Sequence, residues 1–238
     1  MYRLLLFILM VSGSTCFAQD LTATQLLEKA IQYHDPSGYW PSFQGEMTVV
    51  MNTPDDSDRV TRIKIDLPNQ YFKAAATKDE EVITHIVDKG ECKISPADAE
   101  RIAALEEPPK RSHCDLSTLY KDYYTYLYGL PMKLKDQGTI LDPTVLKKTF
   151  KGKEYLVLKV TYDESVGSDV WFFYFDPATY AMEVYQFYKG DPQGAGTDTG
   201  EYILLSDIQT VNGIKMPKVR AWYYNKDNGY LGTDTLTQ

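Results

Sequence analysis

The sequence predicts an α+β fold: a strongly curved antiparallel sheet, an unclosed β-barrel, with helices packed in its concave face. Three observations lead there. Strand-length runs fill two stretches, from Phe43 to Val87 and from Thr149 onward, and their gaps are too short for the crossover helices of a parallel sheet. Helical spacing is confined to three segments, one at the start and two in the middle. The run Val170-Trp-Phe-Phe-Tyr-Phe175 is apolar on both faces, whereas strands of a one-sided sheet alternate. Something must cover both faces of that strand. Three helices can cover only one, and a sheet wrapped around them fits best.

Each element follows from local signals. Thr22-x-x-Gln25 is a capping box, after which Leu26, Leu27, Ala30, Ile31 and His34 recur at helical spacing until Asp35-Pro36-Ser37-Gly38. From Phe43 the period changes. Met47 to Met51 precedes the polar turn Pro54-Asp-Asp-Ser-Asp58, and Val60 to Leu67 alternates with Ile63 and Ile65 opposite Arg62, Lys64 and Asp66. Tyr71 to Ala76 and Val82 to Val87 read as further strands of a meander. Ser95-Pro96 starts a helix that runs to about Leu105, before Pro108-Pro109. Asp115 is expected to cap the next, Leu116 to Tyr128, which Gly129 and Pro131 halt. Leu116, Leu119, Tyr120, Tyr123 and Leu127 form its expected apolar stripe, widened by Tyr124, Tyr126 and Tyr128. In the last third, Tyr155 to Tyr162 carries Leu156, Leu158, Val160 and Tyr162 on one face. Asp176-Pro177 turns Val170 to Phe175 into Ala181 to Tyr188, and the glycine-rich hairpin loop 189–200 leads into Tyr202 to Ile208. Asn212-Gly213 marks a tight hairpin, and Asn225 to Gly229 turns Val219 to Tyr224 into Tyr230 to Leu236.

Composition narrows the class. The chain has 238 residues, 43% hydrophobic and 24% charged, which suits one globular β-rich domain rather than a disordered chain. A net charge of −8 gives no electrostatic reason to expect nucleic acid or an anionic lipid surface. Arg3 followed by the eight apolar residues Leu4 to Val11 and a small, polar stretch reads as a secretory signal cleaved after Ala18. Such a run is too short to span a bilayer. The expected organisation is a signal peptide at 1–18 and one domain at 19–238, monomeric, with no transmembrane span and net charge −9 once Arg3 is lost. The protein is then exported, to the periplasm or the outer-membrane surface. Gly13-Ser14-Thr15 lacks the Leu and the small residue that precede a lipidated cysteine, which argues against an anchor at Cys16. Cys92 and Cys114 remain, and two cysteines in an exported protein are expected to pair. Closing a loop of about 20 residues removes denatured-state entropy worth roughly 3 kcal/mol.

Catalytic patterns are missing. His34, His85 and His113 lie far apart and form no metal-binding spacing. No G-x-S-x-G elbow occurs, and the 190–200 loop lacks the lysine of a phosphate loop. Asp55, Asp56 and Asp58 share a turn without the glycine and distal glutamate of a calcium loop. No catalytic residue, metal or cofactor is therefore expected. What stands out is 19 Tyr, 9 Phe and 3 Trp, concentrated between Tyr120 and Tyr128 and after Tyr155. These rings either fill a core or line a cavity between sheet and helices. Such a cavity suits an acyl chain, at about 0.8 kcal/mol per buried CH₂.

Phe175-Asp-Pro-Ala-Thr-Tyr180, Glu201-Tyr-Ile-Leu-Leu-Ser-Asp207 and Val211-Asn-Gly-Ile-Lys-Met-Pro217 resemble strand pairs of the outer-membrane lipoprotein carrier-like (LolA/LppX-like) superfamily. Tyr33-His-Asp-Pro36, Tyr123 to Met132 and Trp222-Tyr-Tyr-Asn-Lys-Asp227 resemble an uncharacterised exported Bacteroidetes family within it. The resemblance implies an unclosed β-barrel plugged by helices and a cavity for lipid or lipidated cargo, possessing no catalytic residues. The named carriers also hold a helical lid with an arginine, which is matched to no position here.

The expected function is therefore a non-catalytic envelope module that binds or carries a lipid or acylated ligand, including a lipoprotein. Its expected cavity lining is Leu27, Ile31, Trp40, Tyr123, Leu127, Trp171, Phe173 and Phe175. Two alternatives stand: a carbohydrate-active enzyme using paired carboxylates, and a glycan- or protein-binding module presenting Trp40, Trp171 or Trp222 from an exposed flat surface.

Overall fold

The structure, a computed structural model, describes residues 21–107 and 109–237. The expected signal peptide, Cys16 and Pro108 lie outside the described residues. Thirteen strands form one antiparallel sheet that is not closed. The first five are β1 (Gln44–Thr53), β2 (Asp56–Asp66), β3 (Tyr71–Lys78), β4 (Glu81–Asp88) and β5 (Glu91–Lys93). The rest are β6 (Thr139–Leu141), β7 (Leu146–Phe150), β8 (Lys153–Tyr162), β9 (Val170–Phe175), β10 (Met182–Tyr188), β11 (Glu201–Val211), β12 (Ile214–Tyr224) and β13 (Tyr230–Thr237). Their order is β5-β4-β3-β2-β1-β13-β12-β11-β10-β9-β8-β6, with β7 also pairing β8. Two meanders are thus joined where the first strand meets the last, with Val49 opposite Leu236. The helices α2 (Pro96–Ala103) and α3 (His113–Gly129) lie in the connection from β5 to β6, the two edges of the sheet.

Alternation places the core. Met47, Val49, Ile63, Ile65, Phe72 and Ala74 point inward from the first meander, and Phe173, Phe175, Tyr185 and Ile203 from the second. Against them pack Leu26, Leu27 and Ala30 of α1 (Ala23–His34) together with Tyr124, Leu127 and Tyr128 of α3. The Thr22–Gln25 capping box opens α1 as expected.

The motif after α1 fixes that helix to the sheet. The His34 Nε2 accepts from the Met182 backbone N–H at 3.0 Å, so its Nδ1 carries the proton and donates to the Lys215 carbonyl at 2.7 Å. Asp35 accepts from the backbone N–H groups of Tyr39 and Trp40, both at 2.8 Å. Burial holds His34 down at about 4. Neutral imidazole is the form this geometry requires.

The two-sided strand β9 is covered on its second face by strand residues rather than helices. Val170, Phe172 and Tyr174 pack with Tyr155, Val157 and Val184 in a second cluster. The β7–β8 hairpin tip reaches over this face. Phe150 lies 5.2 Å from Tyr174 and 5.3 Å from Tyr202, and Lys151 Nζ donates to Asn228 at 2.9 Å.

Three expectations are corrected. Ser112 caps α3, with Asp115 at the third helical position of a capping box. Leu119 is exposed, and the buried face of α3 carries His113, Ser117, Tyr124, Leu127 and Tyr128. The short strands β5 and β6 fall outside the stretches read as strand from the sequence, and β7 begins at Leu146, ahead of the stretch that starts at Thr149. Cys92 of β5 and Cys114 of α3 form the expected disulfide, with Cα atoms 5.5 Å apart.

Candidate ligand-binding groove

Helix α3 packs along β3, β4 and β5. Its N-terminal half is held there by the disulfide and by a buried polar cluster. The His85 Nδ1 lies 3.1 Å from Ser117 Oγ, which donates to the His113 carbonyl at 2.9 Å. The His85 ring stacks on Tyr120 at 4.2 Å and on His113 at 5.0 Å. Burial, reinforced by His113, lowers His85 to about 4.

The C-terminal end of α3 is held by an arginine. Arg220 of β12 is fully buried. Its Nη1 donates to the Pro217 carbonyl at 2.9 Å and its Nη2 to the Leu127 carbonyl at 3.4 Å. The guanidinium sits 3.9 Å from the centre of the Tyr128 ring. No motif in the sequence singles this residue out. Its cross-strand neighbour Asp234 is also buried and accepts from the Tyr123 hydroxyl at 3.2 Å.

Along one flank of α3 runs an open groove of about 780 Å³. Its floor is built by register: Trp171 of β9, Phe187 of β10 and Glu201 of β11 stand opposite one another on adjacent strands. Trp222 of β12 continues this floor, and Tyr123, Tyr126 and Leu127 of α3 form the wall. Trp171 stacks on Phe187 at 4.8 Å and meets Tyr126 at 5.7 Å, while Tyr123 stacks on Trp222 at 6.2 Å. The Tyr126 hydroxyl bonds that of Tyr162, closing one end. At the β10–β11 end, Gly200 adopts φ +70°, and a Cβ there would collide with the Phe187 carbonyl. Asn225 ties that end together by donating to the carbonyls of Phe187 at 2.9 Å and Thr199 at 2.8 Å.

Of the eight residues expected to line a cavity, Tyr123, Leu127 and Trp171 face this groove. Leu27, Trp40, Phe173 and Phe175 are buried in the packed core, and Ile31 packs against its edge. They do not line it, because their side chains are taken up in the packed core between helices and sheet. Trp222, Tyr126 and Phe187 line the groove without having been expected there. Alternation along β10 and β12 is the signal that could have found Phe187 and Trp222, and helical spacing from Tyr123 the one for Tyr126. Among the described residues, no cluster of three or more His, Cys, Asp or Glu could hold a metal ion.

The unclosed sheet with helices packed against it is similar to the fold of a solved structure. A LolA superfamily protein from Nitrosomonas europaea superposes with a TM-score of 0.52 at 15% identity, covering 92% of this chain and 93% of that one. A DUF1329 family protein from Desulfovibrio piger gives a TM-score of 0.44 at 10% identity, covering 90% and 91%. By sequence, the chain belongs to the family of unknown function DUF6503, whose model matches residues 2–238. No curated protein matches it.

Proposed function

We propose that this protein is an exported, non-catalytic binding or carrier module of the cell envelope, which holds the aliphatic part of a lipid or lipidated ligand in the groove beside α3. The observation that carries this reading is the groove itself: half-buried rings from four strands and one helix surround about 780 Å³, within the range of small-molecule sites. The fold likeness is compatible with such a role. Arg220 and the Cys92–Cys114 bond hold the two ends of α3, so the helix acts as a fixed wall of the groove. Signal removal at 1–18 and a single domain at 19–238 belong to the same proposal.

Native mass spectrometry of gently purified protein, paired with uptake of a fluorescent fatty acid, tests it. Adduct masses in the lipid range that are lost on delipidation, together with saturable uptake, are expected. Protein that is lipid-free in every preparation and takes up no probe would overturn the proposal. The glycan alternative needs an exposed flat tryptophan. Trp40 is buried, and Trp171 and Trp222 are half-buried among other rings.

A further inference from the structure

We infer that the groove selects amphiphiles whose polar end carries a positive charge. This rests on the groove being an aliphatic-chain site, as proposed above. The lining contains three carboxylates, Asp122, Asp169 and Glu201, and no lysine, arginine or histidine. Asp122 is engaged by its neighbour Lys121 at 3.1 Å. Asp169 and Glu201 make no ion pair or side-chain hydrogen bond among the described residues, and both are partly buried. Burial pushes both carboxyls above their ordinary range, and the cation that opposes this, Lys189, is not part of the lining.

Register places Glu201, which lies beside Phe187 in the row that begins with Trp171. Asp169 ends the loop that leads into β9 and joins Trp171 in the lining. Asp169 and Glu201 share the single opposing cation Lys189, so the groove lined by the rings of Trp171, Phe187 and Trp222 keeps a net negative charge. Ring faces attract cations, and carboxylates in a half-desolvated site attract a cation more strongly than in bulk water. The same charges repel phosphate, sulfate or carboxylate head groups. An ammonium or quaternary ammonium head on an aliphatic tail matches both surfaces at once.

The test uses the full chain and three probes with the same dodecyl tail: dodecyltrimethylammonium, dodecyl maltoside and dodecanoate. Each is titrated calorimetrically below its micelle-forming concentration at fixed ionic strength. The cationic probe is expected to bind about tenfold more tightly than either other probe. The double variant Asp169→Asn with Glu201→Gln is expected to bring it down to the level of the maltoside. Asp79→Asn with Glu80→Gln, the same charge change in the exposed β3–β4 turn, is expected to retain the preference. Equal or tighter binding of the anionic or neutral probe overturns the inference while leaving the groove as a ligand site. A preference that survives the Asp169/Glu201 double variant overturns it too. If none of the three probes binds, the groove reading falls and this inference with it.

Discussion

Arg220 and Asp234 stand opposite each other on β12 and β13, both buried, at the point where the end of α3 meets the sheet. Arg220 is the strongest charge acting to keep Asp234 ionised against the cost of burial. Removing one partner of such a pair strands a buried charge, at about 3 kcal/mol or more. Arg220→Met is therefore expected to destabilise the fold by about that amount in urea unfolding. Adding Asp234→Asn should restore part of the loss. Two single-variant losses that simply add would contradict the coupling.

The neutral histidines make stability depend on pH. His34 titrates near 6.5 in an unfolded chain and is held at about 4 in the fold. The unfolded state therefore binds the proton first as acid is added. Its contribution is complete above pH 6.5 and is lost as pH falls toward 4, by roughly 3 kcal/mol. Lys215 and Arg220, the charges acting on His34, push in the same direction. His85 adds a loss of the same sign. Unfolding free energies at pH 7.5 and 5 should show this decline, and His34→Gln should be less stable at pH 7.5 yet decline less. An unchanged slope in the variant would assign the pH dependence to other groups.

Gly129 gives a test in which helix propensity and packing oppose each other. Alanine is the better helix former by roughly 1 kcal/mol. Here, however, its Cβ would collide with the Trp40 ring and lie 2.6 Å from Lys133 Cγ. Gly129→Ala is therefore expected to destabilise by about 1–3 kcal/mol and to alter the near-ultraviolet signal of Trp40. A stabilised variant would show that this contact is loose.

The Cys92–Cys114 bond closes a loop with a sequence separation of 22 and holds the start of α3 to β5. Its double replacement by alanine is expected to cost about 3 kcal/mol. Hydrogen exchange should accelerate first in residues 113–120. Uniform acceleration across the sheet would show that the bond stabilises the whole fold instead.

Local chemistry made much of the fold legible. The Thr22–Gln25 box, the meander from Met47 to Val87, the Asn212-Gly213 hairpin and the disulfide are written in neighbouring residues. The unclosed sheet followed from the two-sided Val170–Phe175 run. The short strands β5 to β7 were not legible, because three to five residues carry too little alternation and Leu146-Lys-Lys-Thr-Phe150 reads as polar. Arg220 was not legible for a different reason. A lone arginine in an alternating strand reads as solvent-facing, and only the pairing with Asp234 and the arrival of the α3 carbonyl explain its burial. Three of the eight expected lining residues face the groove. Leu27, Ile31, Phe173 and Phe175 belong to a helix and a strand read from the sequence, whereas Trp40 sits in a short 3-10 turn that was not; which of these side chains the core takes up is a tertiary fact.

Whether the groove is the ligand site is tested by photo-crosslinking the full chain with a diazirine-bearing alkyl probe and mapping the labelled peptides by mass spectrometry. Labelling should concentrate on the segment from Tyr123 to Leu127 and on the strands carrying Trp171, Phe187 and Trp222, and excess unlabelled amphiphile should compete it away. Labelling that is instead uniform, resists competition, or gathers on the opposite face around Phe172 and Tyr174 would contradict that assignment.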